Sequence, residues 1–369
     1  MPSRLVLISS WEGVEPLPYN CSENLIFCEK RDNMKKLLSV FLIISFALFF
    51  TSCEKRDQKF TDYSFDCFDT ITTITGYEKE KEDFDLVCKE IKSLLNEYHR
   101  LYDIYNSYEG VNNLYSVNAL YNGEHKEIEV DRKITDLVLY AKDMYDFTHG
   151  RVNIAMGSVL KLWHKHRTQG INNPEKATLP PMAELVEASK HTDIDKVIVD
   201  EKNLTIFLSD NEMFLDVGAV AKGYATERVA GHLEKNGVTG YIINVGGNVR
   251  CIGNQPSGKP WTAGVESPDG KGEIVKKYSL SGGALVTSGS YQRFYEVDGK
   301  RYHHIINPKN LMPEDKFLSV SVVCSDAGLS DVLSTALFQM SYDEGCALLK
   351  KIPDSKAFWI LPDGKTMEY

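Results

Sequence analysis

Residues 214–253 read FLDVGAVAKGYATERVAGHLEKNGVTGYIINVGGNVRCIG, and their pattern decides the fold class. A short apolar strand leads through Asp216 and Gly218 into a strong helical run that stops at Asn236–Gly237, where a glycine closes a helix well. Two apolar runs follow, separated by a Gly246–Gly247 turn. On the N-terminal side, residues 64–76 (SFDCFDTITTITG) are rich in Thr, Ile and Phe and predict a strand. Phe84, Val87, Ile91, Leu94, Leu95, Tyr98, Leu101 and Tyr102 recur at helical steps over 81–103, and 133–147 repeats that signal. Residues 196–200 and 204–208 form a hairpin pattern, strand-like runs fill 240–306 with a turn at Asp298–Gly299, and helices are expected at 327–340 and 343–351. A closing hairpin turns at Pro362–Asp363–Gly364. Strands interrupted by helices, without regular βαβ alternation, predict an α+β architecture of mixed or antiparallel sheets with flanking helices.

The 369 residues are 43% apolar and 25% charged, enough to bury a large core. A net charge of -10 argues against sequence-independent binding of nucleic acid, because neutralising phosphates takes a basic surface. Eight cysteines (Cys21, Cys28, Cys53, Cys67, Cys88, Cys251, Cys324 and Cys346) show no CxxC spacing, and those after Cys53 are expected to be buried free thiols. From Met34 the chain reads MKKLLSVFLIISFALFFTSCEKRDQ: two lysines, an uncharged apolar run, small residues, then Cys53 and charge. That is the pattern of a secretory signal, and the run is shorter than the ~20 residues of a spanning helix. The expectation is a signal peptide at 34–52, a lipidated Cys53 and tether over 53–62, a single domain over 63–369, and a non-native extension at 1–33 with translation starting at Met34. The mature protein is then exported and membrane-anchored, on the periplasmic side of the inner membrane or in the outer membrane.

Four segments carry chemistry. Backbone N–H groups at the helix start after Asp216, with Lys222 in the first turn, suit a phosphate; the plainer reading is an acidic residue near a helix start and a solvated lysine. The Gly246–Gly247 turn admits close approach of a ligand but is not a P-loop. Residues 281–308 hold a hydroxyl-rich Thr287–Ser290 turn and adjacent His303 and His304, of which only one can face a given site in a strand. Either histidine can act as acid, base or donor, or simply be structural. Asp331 and Thr335 stand four apart in a helix, so two hard oxygen donors of the kind Mg²⁺ accepts share one face. Tyr105, Trp163, Tyr224, Tyr291 and Phe294 are candidates for stacking on a planar ligand, although most aromatics in such a chain are core.

Taken in order, these segments resemble the ApbE family of FAD:protein FMN transferases. The anchors are Phe68-Asp69-Thr70, Tyr105, Asn112-Asn113-Leu114, Val152-Asn153-Ile154-Ala155, Leu162-Trp163, Asp216 to Ala225, Asn244 to Asn248, Thr287-Ser288-Gly289, His304 to Pro308, and Asp331 to Leu337. The resemblance implies one compact, T-fold-related catalytic domain and a Mg²⁺-dependent reaction in which a Thr or Ser hydroxyl of a target protein attacks the FMN-side phosphorus of FAD and AMP leaves. It implies Ala219, Asp331, Ser334 and Thr335 as metal ligands, the Ala219 and Ser334 contributions being carbonyls. It implies Phe68, Tyr105, Arg151, Val152, Asn153, Asp216, Lys222 and Ile305 as the FAD site, and His304 and Asp331 as catalytic. Asn153 and Asn307 stand where many members have Asp. The implied acceptors are flavin-carrying subunits of Nqr- or Rnf-type electron-transport complexes. An FAD pyrophosphatase, which releases free FMN, and a non-catalytic flavin-storing lipoprotein are the competing readings.

Overall fold

The structure, a computed structural model, describes residues 56–119 and 126–369. The extension, the signal segment and Cys53 lie outside the described residues, as do Cys21 and Cys28. Among the described residues no helix is long and apolar enough to cross a membrane.

The strands are β1 (Gln58–Ser64), β2 (Thr72–Glu78), β3 (Ile128–Glu129), β4 (Val197–Asp200), β5 (Thr205–Leu208), β6 (Tyr241–Val245), β7 (Asn248–Ile252), β8 (Trp261–Glu266), β9 (Ile274–Leu280), β10 (Gly283–Gly289), β11 (Phe294–Val297), β12 (Lys300–His303), β13 (Ser319–Cys324), β14 (Lys356–Ile360) and β15 (Thr366–Glu368). The helices are α1 (Lys81–Tyr102), α2 (Leu114–Ala119), α3 (Arg132–Phe147), α4 (Gly157–Asn172), α5 (Met182–Ser189), α6 (Ala221–Lys235), α7 (Ala327–Phe338) and α8 (Tyr342–Leu349). Eight strands form one sheet in the order β1-β2-β6-β7-β10-β13-β14-β15, antiparallel at every step. The α+β expectation holds, with the sheets antiparallel rather than mixed.

Both faces of the middle of this sheet are covered, which explains why strands such as β13 and β14 are buried on nearly every residue. Successive side chains point to opposite faces. Tyr241, Ile243 and Val245 of β6, with Ala357 and Trp359 of β14, join the helices α1, α6 and α7 in the main core. Ile242, Phe358 and Ile360 face the other way, onto the β8–β9 hairpin with Trp261, Val265 and Leu280. A one-residue slip would exchange the two cores, so the register is tightly specified. A third cluster, Met156, Val159, Trp163, Leu185, Tyr295, Ile306 and Leu311, unites α4 and α5 with the β11–β12 hairpin.

The hairpin turns follow their sequence signals: Gly246 and Gly247 take φ 55° and 91°, Asp298 and Gly299 take 50° and 76°, the doubly positive pattern of a tight two-residue turn. Four readings are corrected. Residues 64–76 are not one strand but the end of β1, a loop, and the start of β2; the loop turns at Phe68 and Asp69, both with positive φ, where the surrounding Phe, Thr and Ile outweigh the turn signal of Asp69. Residues 58–62, read as tether, belong to β1, which pairs with β2 from Gln58↔Glu78 to Ser64↔Thr72; its charged residues mask the alternation that Phe60 begins. The apolar stretch before Asp216 is irregular, tied down by the Asp216 N–H to the Ile154 carbonyl at 2.8 Å. Thr287-Ser288-Gly289 is the end of β10, paired with β13, and not a turn. Of the described cysteines all five are free, Cys67, Cys88, Cys251 and Cys324 buried and Cys346 half-buried.

Candidate functional site

A cavity of about 1070 Å³ lies where the main body meets the α4–α5 unit. Its inner side is made by the start of α6 (Gly218, Ala219, Lys222), the cavity side of α7 (Asp331, Thr335) with Gln339 just past its end, and the strand ends at Gly246, Asn248 and Thr287 to Gly289. Its outer side is α4 from Gly157 to Arg167, with Arg293 and His304 to Ile306. The volume exceeds the ~300–1,000 Å³ of ordinary small-molecule sites. In an acidic chain, six lysines and arginines line it against three aspartates. A ligand with several negative charges suits such a wall.

Helix α6 starts at Val220 with no side-chain cap of its own. Its N-terminal end presents Lys222, whose Nζ lies 3.8 Å from Asp331 Oδ2. The Gly223 N–H donates to the same oxygen at 2.8 Å. Burial raises the Asp331 carboxyl above the usual carboxylate range, and Lys222 and the Gly223 N–H oppose that rise. One turn along α7, Thr335 Oγ1 is 3.2 Å from Ser288 Oγ, which also contacts Ser334 Oγ at 2.8 Å. Asp331 is thus neither exposed nor idle, against the plainer reading of this pair.

The two histidines separate where β12 ends, His303 being its last residue and His304 lying in the bend that follows. His303 is structural: it is buried edge-on against Phe338, donates from Nε2 to the Glu314 carbonyl at 2.6 Å and accepts the Ile305 N–H on Nδ1. His304 faces the cavity, its Nδ1 3.3 Å from the Arg293 carbonyl. Burial, reinforced by Arg293 and Arg167, pushes its imidazole down to about 3, so it is neutral at physiological pH.

Of the residues expected at the site, Tyr105, Arg151, Val152, Asn153, Asp216, Ala219, Lys222, His304, Ile305, Asp331 and Thr335 line the cavity together. Phe68 and Ser334 are not among the lining residues. The Phe68 ring packs edge-on against His99 while its N–H donates to His99 Nδ1, and Ser334 Oγ is consumed by the Asp331 carbonyl and Ser288. Arg151 is turned toward Gln339 O at 2.8 Å and Glu344 at 3.3 Å. Both ends of the Asn153 amide are committed, to Thr192 O and the Ala155 N–H. Asp216 accepts the Gly218 N–H at 2.9 Å, and burial raises its carboxyl. Tyr105 is 55% exposed and its ring lies 5.5 Å from that of His164. Trp163 lines the cavity too, whereas Tyr224 is core and Tyr291 and Phe294 are not lining residues.

Sequence reasoning missed the cationic outer wall, Lys161, Lys165, Arg167 and Arg293. The run KLWHKHR (161–167) was a readable signal for it, hidden by the overall acidity. It also missed Asp103, which accepts from the N–H groups of Tyr105 and Asn106, from Asn106 Nδ2 and from the Tyr108 hydroxyl, and so fixes the loop that presents Tyr105.

Fold and site together define an α+β protein built to hold a polyanionic, ring-bearing ligand. A profile of the ApbE family matches residues 68–359, and the chain belongs to that family. An FAD:protein FMN transferase of Klebsiella pneumoniae (strain 342) is 33% identical over 244 residues, 64% of this chain and 72% of the relative. The FAD:protein FMN transferase of Haemophilus influenzae is 26% identical over 331 residues, 86% of this chain and 91% of the relative. The crystal structure of the ApbE protein of Thermotoga maritima superposes with a TM-score of 0.72 at 28% identity, over 84% of this chain and 96% of that one. The flavin transferase ApbE of Vibrio cholerae shares the fold, with a TM-score of 0.69 at 23% identity over 85% and 97%.

Proposed function

We propose that this chain is an FAD:protein FMN transferase that, with Mg²⁺, moves FMN from FAD to a Thr or Ser hydroxyl of a target protein and releases AMP. The observation that carries this reading is the juxtaposition of Lys222 and Asp331 at the start of α6, inside a cationic cavity of an acidic protein. The named relatives support it. The donor set fits Mg²⁺: a buried carboxylate, a hydroxyl one turn on and the Ala219 carbonyl are hard oxygens, to be completed by water and phosphate. Among the described residues no three His, Cys, Asp or Glu side chains are placed to hold one metal ion together, which does not suit zinc. Asn248 Oδ1 and Gln339 Oε1, on two lining residues, are buried acceptors with no protein partner.

Asp331, Thr335 and the Ala219 carbonyl would hold the ion, which supplies neutralisation of pyrophosphate charge. Lys222 and the outer cations bind the phosphates and orient FAD, since phosphoryl transfer asks chiefly for alignment and charge stabilisation. His304, neutral and in the cavity, accepts the proton of the acceptor hydroxyl as that oxygen bonds to the FMN-side phosphorus. The phosphoanhydride bond breaks and its electron pair leaves on AMP. Pyrophosphate anions would also offset Arg293 and Arg167, raising the basicity of His304 when FAD is bound. The acceptors proposed are the flavin-carrying subunits of Nqr- or Rnf-type complexes, met at the membrane by a protein exported and anchored through Cys53.

The test incubates the chain from Glu54 onward with FAD, Mg²⁺ and such a carrier subunit. A carrier heavier by one FMN, matched by AMP and lost on chelation, supports the reading. Free FMN and AMP make the chain an FAD hydrolase, and FAD bound but unchanged makes it a storage protein.

A further inference from the structure

A helix leaves its first N–H groups without intrahelical partners, and a side-chain oxygen just before the helix commonly takes one of them. Helix α6 has no such cap, and the Gly223 N–H is taken instead by a carboxylate from another helix, Asp331 of α7, at 2.8 Å. The contact exists because residue 223 has no side chain. A Cβ there would lie 2.4 Å from Asp331 Cβ, 2.5 Å from the Ala327 carbonyl oxygen and 3.0 Å from Asp331 Oδ2. The first two atoms belong to the frame of α7 and cannot rotate away. Gly223 is absent from the residues with positive φ, so the backbone conformation does not call for glycine. Glycine weakens a helix relative to alanine, which leaves close approach as its reason.

We propose that Gly223 is a positioning residue for the metal-binding face: its bare Cα lets α6 close on α7, so that its N–H fixes Asp331 beside Thr335 in the orientation that receives the cation. With Oδ2 tied to the Gly223 N–H at the start of α6, the carboxylate cannot swing. This rests on the reading of Asp331 as a Mg²⁺ ligand. Groups that orient a metal ligand typically contribute about 10–100-fold to metal affinity.

The experiment measures Mn²⁺ binding by electron paramagnetic resonance, and FAD binding by fluorescence, for wild type, Gly223→Ala and Gly328→Ala. Gly328 sits in the same helix crossing, but a Cβ there meets Asp326 Oδ1, Tyr140 Oη and Tyr224 Cα, not Asp331. Gly223→Ala should lose on the order of tenfold or more in Mn²⁺ affinity while FAD affinity changes far less, and Gly328→Ala should keep its Mn²⁺ affinity. Unchanged Mn²⁺ affinity in Gly223→Ala, or an equal loss in Gly328→Ala, overturns the proposal and leaves the transferase reading standing. No Mn²⁺ binding by wild type overturns both. If Gly223→Ala does not fold, wild type labelled with carbonyl-¹³C lysine and ¹⁵N glycine selects the two Lys–Gly amides, Gly223 and Gly272. The Gly223 amide should move on Asp331→Asn while Gly272 stays; an unmoved Gly223 amide overturns the proposal.

Discussion

Replacing His304 with glutamine should make the fold less sensitive to acid, by an amount that the site's electrostatics set. In the unfolded chain this imidazole titrates near its ordinary value of 6.5, whereas in the fold burial, Arg293 and Arg167 push it down to about 3. Between those values the unfolded chain holds a proton that the fold does not. Stability contributed by the neutral ring is therefore complete above the upper value and is lost as pH falls through the window. At about pH 5 the loss amounts to about 2 kcal/mol. Glutamine does not titrate. Urea midpoints at pH 7.5 and 5.0 should show wild type losing about 2 kcal/mol more than His304→Gln. His303, also lowered by burial, is present in both proteins and cancels. So do Asp216 and Asp331, whose raised carboxyls act with the opposite sign, their contribution being lost as pH rises above the ordinary value. Saturating FAD should narrow the difference by offsetting the neighbouring cations. Equal acid losses in the two proteins would refute the claim that burial, Arg293 and Arg167 lower His304.

Asp331→Ala should lower the transfer rate by on the order of a hundredfold or more while FAD fluorescence titrations change little, because on the proposed reading the metal held by Asp331 would act on charge that develops in the reaction. Gly157→Ala should cost about 1–3 kcal/mol in urea unfolding and weaken FAD binding, since a Cβ there would lie 2.1 Å from the Phe214 carbonyl oxygen, two residues from Asp216. Arg250→Ala should destabilise by about 3–5 kcal/mol, because the buried guanidinium pairs with Glu227 at 2.9 Å and Glu234 at 3.1 Å and Glu227 in turn accepts the Ala327 N–H at the start of α7. Transfer per folded molecule should be retained in that variant, a separation that active-site titration would read.

The helices were legible because their apolar residues recur with the helical period over many turns, as in α1 and α3. The tight hairpins were legible because a two-residue turn with positive φ leaves a chemical mark, Gly246–Gly247 or Asp298–Gly299. What stayed hidden was the loop at Phe68 and Asp69, where Phe68, which ordinarily extends, is in the left-handed region with its N–H bonded to His99, distant in sequence. The same limit applies to the site. Asp331 and Thr335 share a face by spacing alone, but their meeting with Lys222 and Gly223 depends on how α6 lies on α7, which no local pattern encodes. The division of labour between His303 and His304 was foreseeable only as an alternative, and the packing of His303 against Phe338 at the end of β12 settled it. The cationic wall was lost in a sum over the whole chain, since net charge averages over the surface what the fold concentrates in one place.

The α4–α5–β11–β12 unit has its own cluster of buried side chains, apart from the core beneath the large sheet. The binding cleft therefore has one wall backed by each of two side-chain clusters, with Arg167 and Trp163 on one and Lys222 and Asp331 on the other. A ligand gripping both walls adds its binding energy to the contact between them. Substrate thus doubles as mortar: amide protons of α4 gain protection from exchange when FAD is present, and the enzyme is most cohesive while it is loaded.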